Sequence, residues 1–117
     1  MRRAEITCGG TLGAQLARSV KEFREKFVIV TVPTDWEVDV EVSWDGATFT
    51  KFGSTLTTDS VVAIAEEVTV GATTGLTFLV PLVSIRLNVQ ARPVLYEEGD
   101  DIPSAFVTGY LDTGYTQ

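Results

Sequence analysis

Apolar and polar residues alternate strictly along two stretches of the chain. Residues 37–44 read Glu-Val-Asp-Val-Glu-Val-Ser-Trp, and residues 83–90 repeat the pattern as Val-Ser-Ile-Arg-Leu-Asn-Val-Gln. Successive side chains of a strand point to opposite faces, so this period of two predicts two half-buried β-strands. Trp44 falls in phase with the inward valines of its stretch, which predicts a place for it in the core.

A third stretch is apolar at almost every position. Residues 27–32 read Phe-Val-Ile-Val-Thr-Val and are followed by Pro33, which has no N–H to donate to a strand ladder. A continuous apolar run of this length is typical of a strand buried on both faces. Asp45-Gly46 lies between two strand-like runs and predicts a tight hairpin with a type I′ turn.

Residues 14–26 fit two different periods. Apolar residues recur there at steps of four, four, three and four, which is a helical spacing: Leu12, Leu16, Val20, Phe23 and Phe27. Several of the same residues also alternate as one face of a strand would. The local pattern therefore leaves helix and strand open for this segment, with a slight preference for the helix.

Composition favours β-structure throughout. Valine and threonine each occur 16 times among 117 residues, and both have the β-branched side chains that suit pleated sheets. Turn signals separate the strand-like runs, the connections are short, and no spacing typical of strand–helix–strand units occurs. We therefore predict an all-β fold, an antiparallel, jelly-roll-like β-sandwich of about seven to eight strands.

The two ends of the chain lie outside the strong strand pattern. This predicts an N-terminal arm at residues 1–12, a β-sandwich domain at 13–96 and an acidic C-terminal arm at 97–117. Apolar side chains on polar arms are better explained by docking than by solvation. The arms contain the predicted interaction residues, which are Arg2, Arg3, Ile6, Phe106, Tyr110 and Tyr115.

Charge is distributed unevenly and excludes some partners. Residues 1–26 hold six basic and three acidic residues, net +3, whereas residues 27–117 hold three basic and thirteen acidic residues, net −10. An acidic majority repels phosphate, so we expect no nucleic-acid partner. No apolar run reaches the ~18 residues of a membrane span, so we expect no membrane partner and no signal segment. The basic portion could meet the acidic surface of a neighbouring copy.

The inventory of reactive side chains argues against catalysis. The chain has no histidine and one cysteine, Cys8, which excludes an internal disulfide and every Ser-His or Cys-His catalytic unit. With no neighbouring base, Cys8 is expected to be a small apolar residue. We expect no enzyme activity, no cofactor and no resident metal.

Two loops remain as candidate ligand sites. Residues 97–101 place four carboxylates in five positions, an alternative calcium site whose spacing does not match the twelve-residue calcium loop. Trp36, in the turn after Pro33, could cap the end of the sandwich or meet a ligand. Together with Asp45 and Gly46 it forms the predicted ligand loop of a carbohydrate-binding alternative.

Four motifs resemble a family of small β-sandwich structural proteins, discoidin-like or jelly-roll-like, from tailed bacteriophages and prophages. They are Gly13-Ala-Gln-Leu16, Pro33-Thr-Asp-Trp36, Ser43-Trp-Asp-Gly-Ala-Thr-Phe49 and Ser84-Ile-Arg-Leu87. The likeness runs from about residue 11 to 90. It implies an extended conformation for residues 13–22, so we predict a strand there, with a short helical turn at 20–25 as the alternative.

The resemblance also implies a function and a location. It suggests a non-enzymatic virion protein, a head-associated decoration protein or a head–tail junction protein. Its partners would be phage capsid or neck proteins and neighbouring copies in a homo-oligomer. The alternative is a carbohydrate-binding module of a tail or receptor-binding component, since discoidin-like sandwiches often bind sugars through loops at one end.

Overall fold

The structure is a computed structural model that describes residues 1–64, 67–71 and 77–111, with the backbone alone at 67–71 and 77–80. This part of the chain is all-β and contains no helix. The strands are β1 (Arg2–Ile6), β2 (Gly13–Ala14), β3 (Arg18–Ser19), β4 (Phe23–Thr31), β5 (Glu37–Ser43), β6 (Thr50–Lys51), β7 (Ser60–Ala63), β8 (Glu67–Gly71), β9 (Thr77–Pro81), β10 (Ser84–Ala91) and β11 (Ser104–Leu111).

The strands form two main sheets in which every pairing is antiparallel. One sheet has four strands in the order β1-β11-β4-β7. The other has the order β2-β10-β5-β6, with β3 pairing to the same edge of β10 as β2. The predicted all-β, antiparallel class is therefore confirmed. The eleven strands exceed the seven to eight predicted, since several are only two residues long.

A single hydrophobic core lies between the inner faces of the two sheets. Val28 and Val30 of β4 and Val107 of β11 enter it from one side, and Val40 and Leu87 enter it from the other; all five are at most 1% exposed. Full burial of such a side chain stabilises the fold by about 1.5–3 kcal/mol each. In β5 and β10, the apolar residues that the alternating pattern predicted to face inward are the ones buried in the core.

The prediction that both ends of the chain are arms outside the sandwich is wrong for the strands that they contain. β1 and β11 pair with each other over five residues, and β11 also pairs with β4 over seven. β11 is therefore an inner strand of the four-stranded sheet. Ile6 is 1% exposed and belongs to the core, not to a docking arm. Residues 112–117, the rest of the predicted C-terminal arm, lie outside the described residues.

The segment left open between helix and strand is extended. Its two short strands, β2 and β3, lie along one edge of β10, and a turn at Lys21-Glu22 leads into β4. The strand predicted for residues 13–22 is found only at Gly13–Ala14 and Arg18–Ser19, and the helix that the spacing favoured is not found in the described residues. No helix in the described residues is long and apolar enough to cross a membrane.

Two local predictions need correction. Asp45-Gly46 does not form a two-residue hairpin, because β5 rejoins β6 with Val42 opposite Thr50, so residues 44–49 form a longer loop. Only Gly46, with a φ of 82°, has positive φ, whereas a type I′ turn needs it at both central positions. Trp44, predicted to be core, starts this loop and is only partly buried.

Strands β8 and β9 form a separate hairpin. They pair with each other over five residues and with no other described strand. In the backbone register of this hairpin, Val68 is opposite Val80 and Val70 is opposite Phe78. The hairpin leaves the body of the sandwich after β7 and returns to it before β10.

Candidate functional site

The outer face of the four-stranded sheet carries a continuous row of apolar residues. Its members are outward-facing residues of three adjacent strands, and we name them the apolar strip: Phe27, Ile29, Val61, Ala63 and Phe106. Val61 is 67% and Ile29 is 36% exposed. Since the inner faces already fill the core, the strip is not required for packing within the sheet.

Strand register brings the strip together. Ile29 on β4 is directly opposite Val61 on β7 and Phe106 on β11, which gives one apolar row across three strands. Phe27 is opposite Ala63 in the next outward row. Opposed side chains in an antiparallel pair have Cβ atoms about 4.5–5.5 Å apart, so the five residues form one patch.

Charged residues border the strip along β1. The guanidinium carbon of Arg3 lies 3.9 Å from the centroid of the Phe106 ring, a cation–π contact. Glu5 is directly opposite Phe106 on the same face. An apolar centre with a charged margin is the usual anatomy of a protein-binding surface.

The outer face of the five-stranded sheet is different in chemistry. Arg86 Nε donates to Glu41 Oε1 at 2.7 Å, and Asn88 Nδ2 donates to Glu41 Oε2 at 3.0 Å. Beside them, Thr55 Oγ1 donates to Asp39 Oδ1 at 2.6 Å. The polar side chains of this face bond to one another, so the apolar strip is a property of one outer face only.

The structure places five of the six predicted interaction residues on β1 and β11. Arg3 and Phe106 are in contact, and Arg2 is opposite Gly109, next to Tyr110. Ile6 points into the core, and Tyr115 lies outside the described residues. Sequence reasoning missed Phe27 and Ile29 because the continuous apolar run at residues 27–32 predicts burial on both faces, and it assigned no outward face to Val61 and Ala63.

A cavity of about 360 Å³ lies at one end of the sandwich, between the turn after β4 and the loop after β10. Trp36 and Tyr96 meet there edge to face, with ring centroids 5.3 Å apart and planes at 84°. Trp36 is only 2% exposed, so it caps the core, as one of its two predicted roles required. The cavity is lined by Pro33, Thr34, Trp36, Pro93, Tyr96, Asp100 and Asp101.

The predicted ligand loop does not exist as one site. Trp36 precedes β5 and Asp45 follows it, so the seven residues of β5 separate them by roughly 23 Å. Asp45 instead organises its own loop. Its Oδ1 accepts the backbone N–H of Thr48 at 2.7 Å and of Ala47 at 2.8 Å, and Ser43 Oγ donates to it at 3.0 Å. These bonds lower the pKa of the Asp45 carboxyl to about 2.

The remaining candidate chemistry finds no site. In the described residues, no group of three or more Cys, Asp or Glu side chains is placed to hold a metal ion, and residues 97–101 are no exception. Burial raises the pKa of the Cys8 thiol to about 11. The neutral thiol is a poor nucleophile, so Cys8 is suited to packing and not to reaction.

Comparison of the chain with protein-family models, with curated proteins and with solved structures finds no match.

Proposed function

We propose that this chain is a non-enzymatic structural protein of a tailed-phage particle, which attaches to a capsid or neck protein through the apolar strip. The contrast between the two outer faces carries the proposal. One face has its polar groups bonded to one another, and the other presents bare apolar side chains. The sequence motifs that resemble the phage family supply the expected setting, a virion.

Burial of the strip is the physical reason to expect a partner. Val61, exposed at 67%, lies on the edge strand β7, and Ile29, exposed at 36%, lies beside it on the inner strand β4. Covering apolar surface is favourable by about 25 cal/mol per Å². Grouped apolar residues on a rigid surface mark interaction sites, whereas isolated ones do not. A head or neck protein of the particle would cover this face.

Binding to particles that lack the chain tests the proposal. The purified chain should co-sediment with such particles in a fixed ratio. The double variant Ile29→Lys/Val61→Lys places two charges in the strip and should abolish co-sedimentation. The matched control Gln90→Lys adds a charge at an exposed, polar position of the other sheet and should bind as the unchanged chain does.

Circular dichroism must show that all three proteins keep the β-sheet signal. Failure of the unchanged chain to bind particles would contradict the virion assignment. Equal binding by the strip variant would contradict the role of the apolar strip. A glycan array with the unchanged chain addresses the carbohydrate-binding alternative, and selective glycan binding without particle binding would replace the proposal.

A further inference from the structure

The two ends of the sandwich differ in charge. The acidic end is formed by the turn after β4 and the loop after β10, with Asp35, Glu97, Glu98, Asp100 and Asp101. The basic end is formed where β1 and β11 meet the turn before β4, with Arg2, Lys21 and Arg24. All eight residues are exposed. The nine residues of β4 run from the basic end to the acidic end, a distance of roughly 30 Å.

The cavity at the acidic end has the chemistry of a cation site. It is lined by Tyr96, two prolines and Trp36, which is only 2% exposed, and its charged lining is Asp100 and Asp101. No lysine or arginine lines it. Aromatic faces and carboxylates both attract a guanidinium or ammonium group.

A contact within the chain shows that one wall already accepts a guanidinium. The guanidinium carbon of Arg92 lies 5.1 Å from the centroid of the Tyr96 ring. Arg92 is held outside the cavity lining, since its Nη1 donates to the carbonyl of Gly10 at 2.6 Å. The carboxylate of Asp101 has no such partner in the described residues, and Asp100 accepts only the backbone N–H of Glu97 at 3.0 Å.

We infer that this cavity binds an arginine or lysine side chain from the basic end of a second copy of the chain. Charge complementarity indicates that the occupant comes from a second copy. The side chains of Arg2, Lys21 and Arg24 lie exposed at the opposite end, without an ion pair in the described part of the chain. The basic end is not purely cationic. Glu22 there pairs with Arg18 at 2.7 Å, and Glu25 and Asp45 also lie at this end.

The contact is head-to-tail because it joins unlike ends. A dimer formed in this way keeps one free acidic end and one free basic end, so the assembly grows into a ring or an open chain. The apolar strip takes no part in it, so the inference stands apart from attachment to a particle. Its failure would leave the strip proposal untouched, and the reverse also holds.

Light scattering on the unchanged chain is the first test. At about 0.02 M salt the mass should exceed that of the 12.7 kDa monomer, and at about 0.5 M salt it should fall to the monomer because the contact is ionic. Added free arginine should also dissociate the assembly more strongly than the same concentration of sodium chloride. A monomer at low salt would overturn the inference.

Two variants with equal charge changes locate the contact. Asp101→Lys alters the cavity lining and should reduce association at least tenfold. Glu98→Lys makes the same change at the acidic end outside the cavity lining and should have a much smaller effect. Asp100→Asn keeps an oxygen that can accept the Glu97 N–H, and should weaken association without disturbing the loop. Equal effects of Asp101→Lys and Glu98→Lys would overturn the role of the cavity.

Mixing two deficient variants tests whether the occupant is a second copy. Asp101→Lys retains an intact basic end, and the triple variant Arg2→Glu/Lys21→Glu/Arg24→Glu retains an intact cavity. Each alone should be monomeric at low salt, whereas an equimolar mixture should form a one-to-one dimer that grows no further. Persistent association of the basic-end variant, or a mixture that stays monomeric, would overturn the assignment of the occupant.

Discussion

Ile6 stands directly opposite Ala105 across the β1–β11 pair, and both side chains are at most 1% exposed. A large side chain facing a small one allows the two strands to fill the core without a void. β1 is therefore an integral part of the sandwich, although only one of its edges is paired within the described residues.

Replacing Ile6 by alanine should destabilise the protein strongly. Removal of a fully buried isoleucine side chain costs about 2–5 kcal/mol, from lost burial and from the cavity left behind. The neighbouring Glu5→Ala removes an exposed, outward-facing side chain and should change stability by less than about 0.5 kcal/mol. Urea unfolding followed by tryptophan fluorescence measures both. If Ile6→Ala left the free energy of unfolding unchanged, the result would contradict the burial of Ile6 and favour the prediction that residues 1–12 form an arm.

Gly109→Ala should also destabilise the protein, through backbone crowding. Gly109 lies at the irregularity in the β11–β4 pairing between Thr108 and Tyr110. An added Cβ would lie 2.8 Å from the carbonyl oxygen of Arg24 and 3.3 Å from the Cα of Lys26. Such overpacking costs about 1–3 kcal/mol. Thermal unfolding should show a lowered Tm, and an unchanged Tm would mean that β4 shifts freely.

The Cys8 thiol should react slowly in the folded protein. Its pKa of about 11, raised from 9.0 by burial, leaves roughly a hundredfold less thiolate at pH 8 than an ordinary cysteine has. Alkylation by iodoacetamide should be slower by a similar factor than in urea-unfolded protein. A raised folded pKa also means that this group favours the fold below pH 9 and that its contribution falls as pH rises towards 11. Equal folded and unfolded alkylation rates would contradict the burial of Cys8.

The loop at 44–49 should keep its structure in acid. Asp45 has its pKa lowered from 3.8 to about 2, first by the bond from the Thr48 N–H and then by that from Ala47. A lowered folded pKa stabilises the loop above about pH 4, and that support is lost as pH falls through 2. The amide resonances of Ala47 and Thr48 should titrate with a midpoint near 2. Asp45→Asn should preserve both bonds, whereas Asp45→Ala should release both amides to exchange.

The sequence predicted the elements whose side chains alternate cleanly. β5 and β10 are half-buried strands, and their period of two was visible because polar residues fill every outward position. β1 carries the same signal in a shorter form, with Ala4 and Ile6 inward and Arg3 and Glu5 outward. Its position at the chain end and the small size of Ala4 concealed it. β11 was missed because Phe106 makes its outward face apolar as well.

The apolar strip escaped prediction for a related reason. An apolar run such as residues 27–32 indicates only that both faces of the strand are mainly apolar. It does not distinguish a strand buried within its own fold from one whose second face is left for another molecule. Val28 is fully buried and Ile29 is not, and that difference depends on which sheet covers β4. The cavity at the acidic end depends likewise on residues some sixty positions apart along the chain, Trp36 and Tyr96 among them.

The inner position of β11 has a consequence for synthesis on the ribosome. β4 emerges early, yet its partner on one edge is β11, which is made about eighty residues later. β1 waits for the same strand. Until β11 has been made, β1 and one edge of β4 lack their hydrogen-bonding partner, and the core is incomplete. Folding of the four-stranded sheet must therefore follow translation of residue 111, and high sequence separation of this kind slows folding. During that interval, the chain is at its most vulnerable to aggregation and to proteases.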